Sequence, residues 1–238
     1  MWAIVKIRFA LLAALLALPA VALAQDGRVA QLSGTLSVKR PDGSVRILSR
    51  QSEIREGDTL STERDSYAQV RFADGGTVTL KPLTAVRLDQ FRIAKDHPEK
   101  EAFAVRLLKG GLRAVTGGIG KRKPENVEMT TETATVGVRG TTFSLDDCVN
   151  ERGGECAGLA PAVYVGVADG EVVVRNDAGE LALGAGQFGQ IARGERPLFL
   201  STNPGLQFAP PATFIQSILS GRQVAGIGER LECAISAR

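Results

Sequence analysis

The sequence predicts an all-β protein, a sandwich or solenoid-like stack of short antiparallel hairpins with one short C-terminal helix. Three observations carry this. Short runs of alternating apolar and polar residues recur from residue 28 to residue 192, glycine-centred turns separate them, and no stretch in that span has the 3.6-residue period of a helix. Barrel closure is the alternative arrangement of the same hairpins. With 44% hydrophobic residues there is material for a packed core. Aromatic residues number only 9 Phe, 2 Tyr and 1 Trp, and the Trp is residue 2, so Val, Leu, Ile and Thr must build that core.

Ahead of the strands, Lys6 and Arg8 precede an apolar run, Phe9–Val21, and Ala22-Leu23-Ala24 forms a small-residue exit. This is the pattern of a cleavable secretory signal peptide over residues 1–24. A membrane anchor would need about 20 apolar residues. The expectation is therefore a periplasmic chain that starts at Gln25 and keeps no stable membrane anchor after cleavage. Gln25 stands where a lipid-bearing Cys would be needed. Without Lys6 and Arg8 the basic residues fall from 29 to 27 against 26 acidic ones, and the formal net charge falls from +3 to +1. That balance gives no support to nucleic-acid binding.

In the span 25–192, expected to form one all-β domain, Val29–Leu32 and Gly34–Arg40 open the series. Pro41-Asp42-Gly43 turns the chain into Val45–Leu48, because Asp and Gly tolerate tight-turn dihedral angles. Glu56-Gly57-Asp58 is followed by Leu60–Thr62 and then Tyr67–Phe72, with Ala68, Val70 and Phe72 on one face. Ala73-Asp74-Gly75-Gly76 leads into Thr77–Leu80, and Lys81-Pro82 precedes a short strand at Val86–Leu88. Ala94–Glu101 is a charged, solvated connection. Phe103, Val105 and Leu107 resume the alternation up to Lys109-Gly110-Gly111, after which Leu112–Val115 returns as a further strand. Gly117–Pro124 holds three glycines and Lys121-Arg122-Lys123 and reads as an exposed loop.

Thr130–Leu145 is the most informative stretch. Ala134, Val136 and Val138 alternate as a half-buried strand should, with Thr131, Thr133 and Thr135 on the other face. Beyond Val138 the phase breaks, because Phe143 and Leu145 are odd where the earlier set was even. One strand cannot send both sets to one core without an extra residue or a change of sheet. Gly137 and Gly140 bracket the break, so a bulge or corner is expected at Arg139–Gly140, where glycine allows positive φ or close backbone approach.

Two strand-turn-strand units echo one another at a constant offset. Gly34–Lys39 with Gly43–Ile47 matches Gly170–Arg175 with Gly179–Leu183, which suggests similar hairpins used twice. Residues 193–238 form a breaker-rich tail with a short helix expected at Thr213–Ser220, whose Phe214, Ile215, Ile218 and Leu219 share a face; the tail is expected to pack across the end of the β domain, docking on something else being the alternative. All three cysteines follow the signal segment. Cys148 and Cys156 enclose a Gly-rich turn and are expected to form a disulfide in an oxidising compartment, leaving Cys233.

Catalytic and cofactor chemistry finds little to work with. A nucleophilic triad would need His97, which lies in a charged loop, and one His with no C-x2-C pair cannot complete a zinc site. Gly184-Ala-Gly186-Gln-Phe-Gly189 has a dinucleotide-site spelling without the following helix. Gly120-Lys121 lacks the other residues of a phosphate loop, and Asp146-Asp147 is an acidic pair with no EF-type loop around it. No catalytic residue, cofactor or metal is assigned.

The motifs together resemble the FecR-type periplasmic signalling domain, in a stand-alone exported form. The resemblance rests on Gly57-Asp58 with Leu60–Thr62, on Ala68–Phe72 with Asp74-Gly75, and on Gly110-Gly111-Leu112. It continues through Gly137-Val138-Arg139-Gly140-Thr141 with Phe143, Val165–Val172 with Asp169-Gly170, and Ala185-Gly186-Gln187. Regulators of this family place an all-β periplasmic region after a cytoplasmic anti-sigma segment and one membrane span, and receive a signal from an outer-membrane receptor. This sequence opens on a signal peptide instead. The resemblance implies a non-enzymatic protein-interaction or sensing module in envelope signalling, whose partner is a periplasmic protein domain such as that of an outer-membrane receptor. A binder of cell-wall glycan or another envelope polymer, and a hydrolase using scattered carboxylates, are the alternatives. Glycan stacking has only Tyr67 and Tyr164 beyond phenylalanine to use.

Overall fold

The computed structural model describes residues 26–94, 96–150, 156–206 and 214. Strands β1 (Gly27–Ser33), β2 (Leu36–Lys39), β3 (Val45–Leu48), β4 (Glu53–Ile54), β5 (Thr59–Thr62), β6 (Tyr67–Phe72), β7 (Thr77–Leu80) and β8 (Ala85–Arg92) make up the N-terminal half. Then come β9 (Ala102–Val115), a short helix α1 (Gly118–Arg122), β10 (Val127–Thr130), β11 (Thr135–Asp147), β12 (Val163–Asn176), β13 (Gly179–Gly184), β14 (Phe188–Ile191) and β15 (Leu198–Leu200). The fifteen strands of the described residues join in one hydrogen-bonded sheet that is not closed into a barrel.

The sheet folds over itself into two layers. The first runs β4, β1, β6, β7, residues 110–115 of β9, residues 142–147 of β11, residues 163–169 of β12, β14, β15. The second runs β3, β2, β5, β8, residues 102–109 of β9, β10, residues 135–139 of β11, residues 171–176 of β12, β13. Phe72 of the first layer meets Phe91 and Phe103 of the second at ring distances of 5.5 and 4.7 Å, so the layers pack face to face. One continuous core of Val, Leu, Ile and Phe fills the space between them. Burial of such side chains is worth about 1.5–3 kcal/mol each, which lets an aromatic-poor chain hold two layers together.

Several local expectations are corrected. Leu112–Val115 is not a separate returning strand but the second half of β9, which bends at Gly110 with φ 78° instead of turning back. β9, β11 and β12 are therefore long strands rather than short ones, each with a positive-φ glycine at mid-length: Gly110, Gly140 and Gly170. The strand expected at Val86–Leu88 extends over all of β8. The pairing is not wholly antiparallel, because β10 lies parallel to β9. Part of the basic loop at Gly117–Pro124 is helix α1, and its Arg122 grips the buried Glu101 with two hydrogen bonds of 3.0 and 2.6 Å.

The two echoing units are hairpins at opposite edges of the second layer. β2–β3 pairs Leu36 with Leu48, and β12–β13 pairs Val172 with Leu183, so the second has the shorter turn by one residue. A smaller cluster of Cys148, Cys156, Ala162, Tyr164 and Leu206 lies outside the main core. The helix expected at Thr213–Ser220 lies outside the described residues except for Phe214, which is helical and buried, with its ring 5.8 Å from that of Tyr67. Residues 1–24 and Cys233 also lie outside the described residues.

Candidate interaction surface

The Val138-Arg139-Gly140-Thr141 stretch is where β11 changes layers. Val138 and Phe143 are both buried, and the register with β12 shifts between Arg139 and Thr142, so the extra residue restores the phase. Gly140 takes φ 62°, with open space where a side chain would go. Thr141 clamps the corner. Its N–H donates to Thr116 Oγ1 at 3.0 Å, its carbonyl accepts from Thr116 Oγ1 at 2.9 Å, and its own hydroxyl donates to the Glu171 carbonyl at 2.7 Å. Arg139 points outward to Glu171 at 3.0 Å, and Asp169 sits opposite Thr142 beside the Gly170 bend. These residues build the crossover, and Val138 and Arg139 also line an outer groove.

Asp74 and Gly75 form a second structural joint. Asp74 Oδ1 accepts from Gly76 N at 2.9 Å and Oδ2 from Ile119 N at 3.2 Å, so one carboxylate ties the β6–β7 turn to the start of α1. Gly75 supplies the positive φ of the turn. A third joint is buried: Lys81 Nζ donates to Asp146 Oδ1 at 2.8 Å, across 65 residues of sequence. Gly111 makes room for it, because a β-carbon there would lie 2.0 Å from Asp146 Oδ1. Asp147 accepts from Val149 N, just before the Cys148–Cys156 disulfide, whose Cα atoms are 5.3 Å apart. The Asp146-Asp147 pair is thus committed to internal bonds.

Open ground lies on the outside of the second layer. A groove of about 710 Å³ is lined by the Thr130–Thr135 turn, Arg106, Arg175–Ala178 and Arg193. A neighbouring groove of about 350 Å³ lies over Gly137, whose missing side chain leaves only Val173 O at 3.7 Å. The arginines are individually matched: Arg106 with Asp89, Arg175 with Glu180, and Arg193 with Glu132. Burial pushes the Asp89 carboxyl up, but hydrogen bonds from Arg87 and Arg106 prevail and hold it below the usual carboxylate range. Such a surface can offer hydrogen bonds and paired charges to a polar partner.

His97 is 61% exposed at its side chain and lies 3.2 Å from Glu99 in the loop before β9. The Gly184–Gly189 stretch connects β13 to β14, strand to strand. Among the described residues no group of three or more His, Cys, Asp or Glu could hold a metal ion, and no helix is long and apolar enough to cross a membrane.

Residues 58–173, which contain all three crossover strands up to Val173, match the FecR protein family. The chain carries a FecR domain. Two crystal structures of a candidate anti-sigma factor from Parabacteroides distasonis are 18% identical, each with a TM-score of 0.45, over 61% of this chain and 60% of that chain. This chain thus spans 60% of the length of that protein. A cell surface anchoring domain is 25% identical over 27% of this chain and 84% of its own, with a TM-score of 0.26. No curated protein matches. The FecR domain supports a signalling or sensing role in general.

Sequence reasoning did not single out Arg106, Arg175 and Arg193 as groove residues. They come from β9, β12 and the segment after β14, and only the folded sheet brings them together.

Proposed function

We propose that this FecR-domain protein is an exported, non-enzymatic sensing or protein-interaction module of cell-envelope signalling, acting in the periplasm after loss of residues 1–24. The observation that carries the reading is the FecR match over residues 58–173. The Lys6 and Arg8 n-region, the apolar Phe9–Val21 run and the Ala22-Leu23-Ala24 exit favour export. The partner is a periplasmic protein domain, such as that of an outer-membrane receptor. The balanced charge of residues 25–238 favours neither nucleic acid nor an anionic membrane surface.

The test is to titrate the mature chain in parallel against a panel of receptor periplasmic domains and against peptidoglycan. Selective, saturable binding of one protein domain is the expected result. Saturable glycan binding with no protein partner overturns the reading, and so does an intact mass of the exported protein that retains residues 1–24.

A further inference from the structure

β3 closes the second layer on its N-terminal side, bonded to β2 and to no other strand among the described residues. Its pairing runs without a register shift, and it contains neither proline nor lysine, residues that commonly blunt an edge. Val45 and Ile47 are 65% and 70% exposed, while Leu48 on the same strand is buried. Such an edge offers backbone N–H and C=O groups and two exposed β-branched side chains to one further strand.

The ground beside β3 sets the chemistry of that strand. An open cleft of about 510 Å³ lies between β3 and the edge strand β4, lined by Arg40, Arg46, Arg55, Asp42, Glu53 and Leu48 among others. Arg55 is held by Glu53 at 2.8 Å, and Arg40 lies 3.7 Å from the buried Asp58. Arg46, inside β3, has no ion pair within 4 Å among the described residues, although its charge helps to lower the exposed Asp42 carboxyl, and Arg50, just beyond β3, has none either. Apolar side chains thus stand on one face of the edge, and an arginine without a close ion pair stands on the other.

Resting on the protein-interaction reading above, we propose that β3 is a docking edge for an extended segment of another protein in which acidic and apolar residues alternate. The segment adds to β3 as a further strand. Successive side chains of a strand point to opposite faces, so its apolar residues cover Val45 and Ile47 while its carboxylates meet Arg46 and Arg50. A second copy of this chain fits less well, because β3 against β3 sets the arginines of one edge against those of the other.

The test uses the mature chain and a short fluorescent peptide of alternating Glu and Val, with an alternating Lys and Val peptide as control. Binding is read by fluorescence anisotropy, and its location by amide hydrogen exchange. The Glu/Val peptide is expected to bind and to slow exchange over Val45–Leu48. Arg46→Glu should weaken it by about tenfold or more, and Arg46→Lys should retain it. Val45→Ser/Ile47→Ser, at exposed positions that leave the core intact, should also weaken it by about tenfold. Equal binding of both peptides, protection elsewhere, or indifference to these variants overturns the proposal, as does concentration-dependent dimerisation through β3. A receptor domain that binds Arg46→Glu and Val45→Ser/Ile47→Ser as it binds the parent chain overturns the β3 assignment alone. Glycan binding with no protein partner overturns the reading beneath it.

Discussion

The carbonyl oxygen of Gly140 lies 2.7 Å from the point where a β-carbon on Gly170 would sit. The bends of β11 and β12 are therefore nested: Gly140 sets its own backbone at φ 62°, and Gly170, at φ 81°, leaves space for it. Gly170→Ala meets both an unfavourable φ and a backbone collision, and should cost about 3 kcal/mol. Gly140→Ala faces the φ penalty alone, about 1 kcal/mol, and Gly140→Val somewhat more because of its β-branch. Denaturant midpoints of the mature variants check the order. Equal midpoints for Gly170→Ala and Gly140→Ala would show that the bends are not nested.

Removing Lys81 takes the cation away from a carboxylate that the fold keeps out of water. Lys81→Met should cost about 3 kcal/mol, the scale seen when one partner of a buried ion pair is deleted. Lys81→Met/Asp146→Asn should recover part of that loss, because a neutral amide is cheaper to bury than a carboxylate that has lost its ion pair with Lys81. Thermal melts of the two variants decide this. A double variant weaker than the single one would mean that Asp146 is held chiefly by other partners.

Reduction of the Cys148–Cys156 disulfide, or Cys148→Ser/Cys156→Ser, should lower stability by about 2–3 kcal/mol, the chain-entropy value for so short a loop. Peptide mapping without reductant should recover the two cysteines linked to one another. A Cys233 peptide linked to either one would contradict this.

The arginines that hold the Asp89 carboxyl below its ordinary value of 3.8 give a pH signature. A group with a depressed folded-state pKa stabilises the fold above its unfolded value, and that contribution disappears as pH falls through the folded value. Asp89→Asn should therefore lower stability at neutral pH and flatten its fall as pH drops below the ordinary carboxylate value of 3.8. Parallel acid titrations followed by circular dichroism provide the comparison.

How much of this was legible in the sequence depended on how local each signal was. The break in phase after Val138 needed only its neighbours, and the register of β11 shifts there. The echo between Gly34–Ile47 and Gly170–Leu183 found two hairpins, although not that they occupy opposite edges of one layer. Lys109-Gly110-Gly111 spelled a turn, yet β9 runs through it. Thr84 Oγ1 bonds both the N–H and the carbonyl of Gly111, and that partner lies 27 residues away. Nothing local marks β10 as parallel to β9, or pairs Lys81 with Asp146. The grooves beside Thr130–Thr135 were invisible for the same reason, since their walls come from distant strands.

Because β9, β11 and β12 are shared between the two layers, the sandwich has no seam along its middle. Prising the layers apart there would mean tearing bonded strands lengthwise rather than separating two surfaces, so the molecule cannot work as a pair of jaws that closes on a ligand. The docking proposed for β3 accordingly uses a rim, where a visitor can be added without anything inside having to give way.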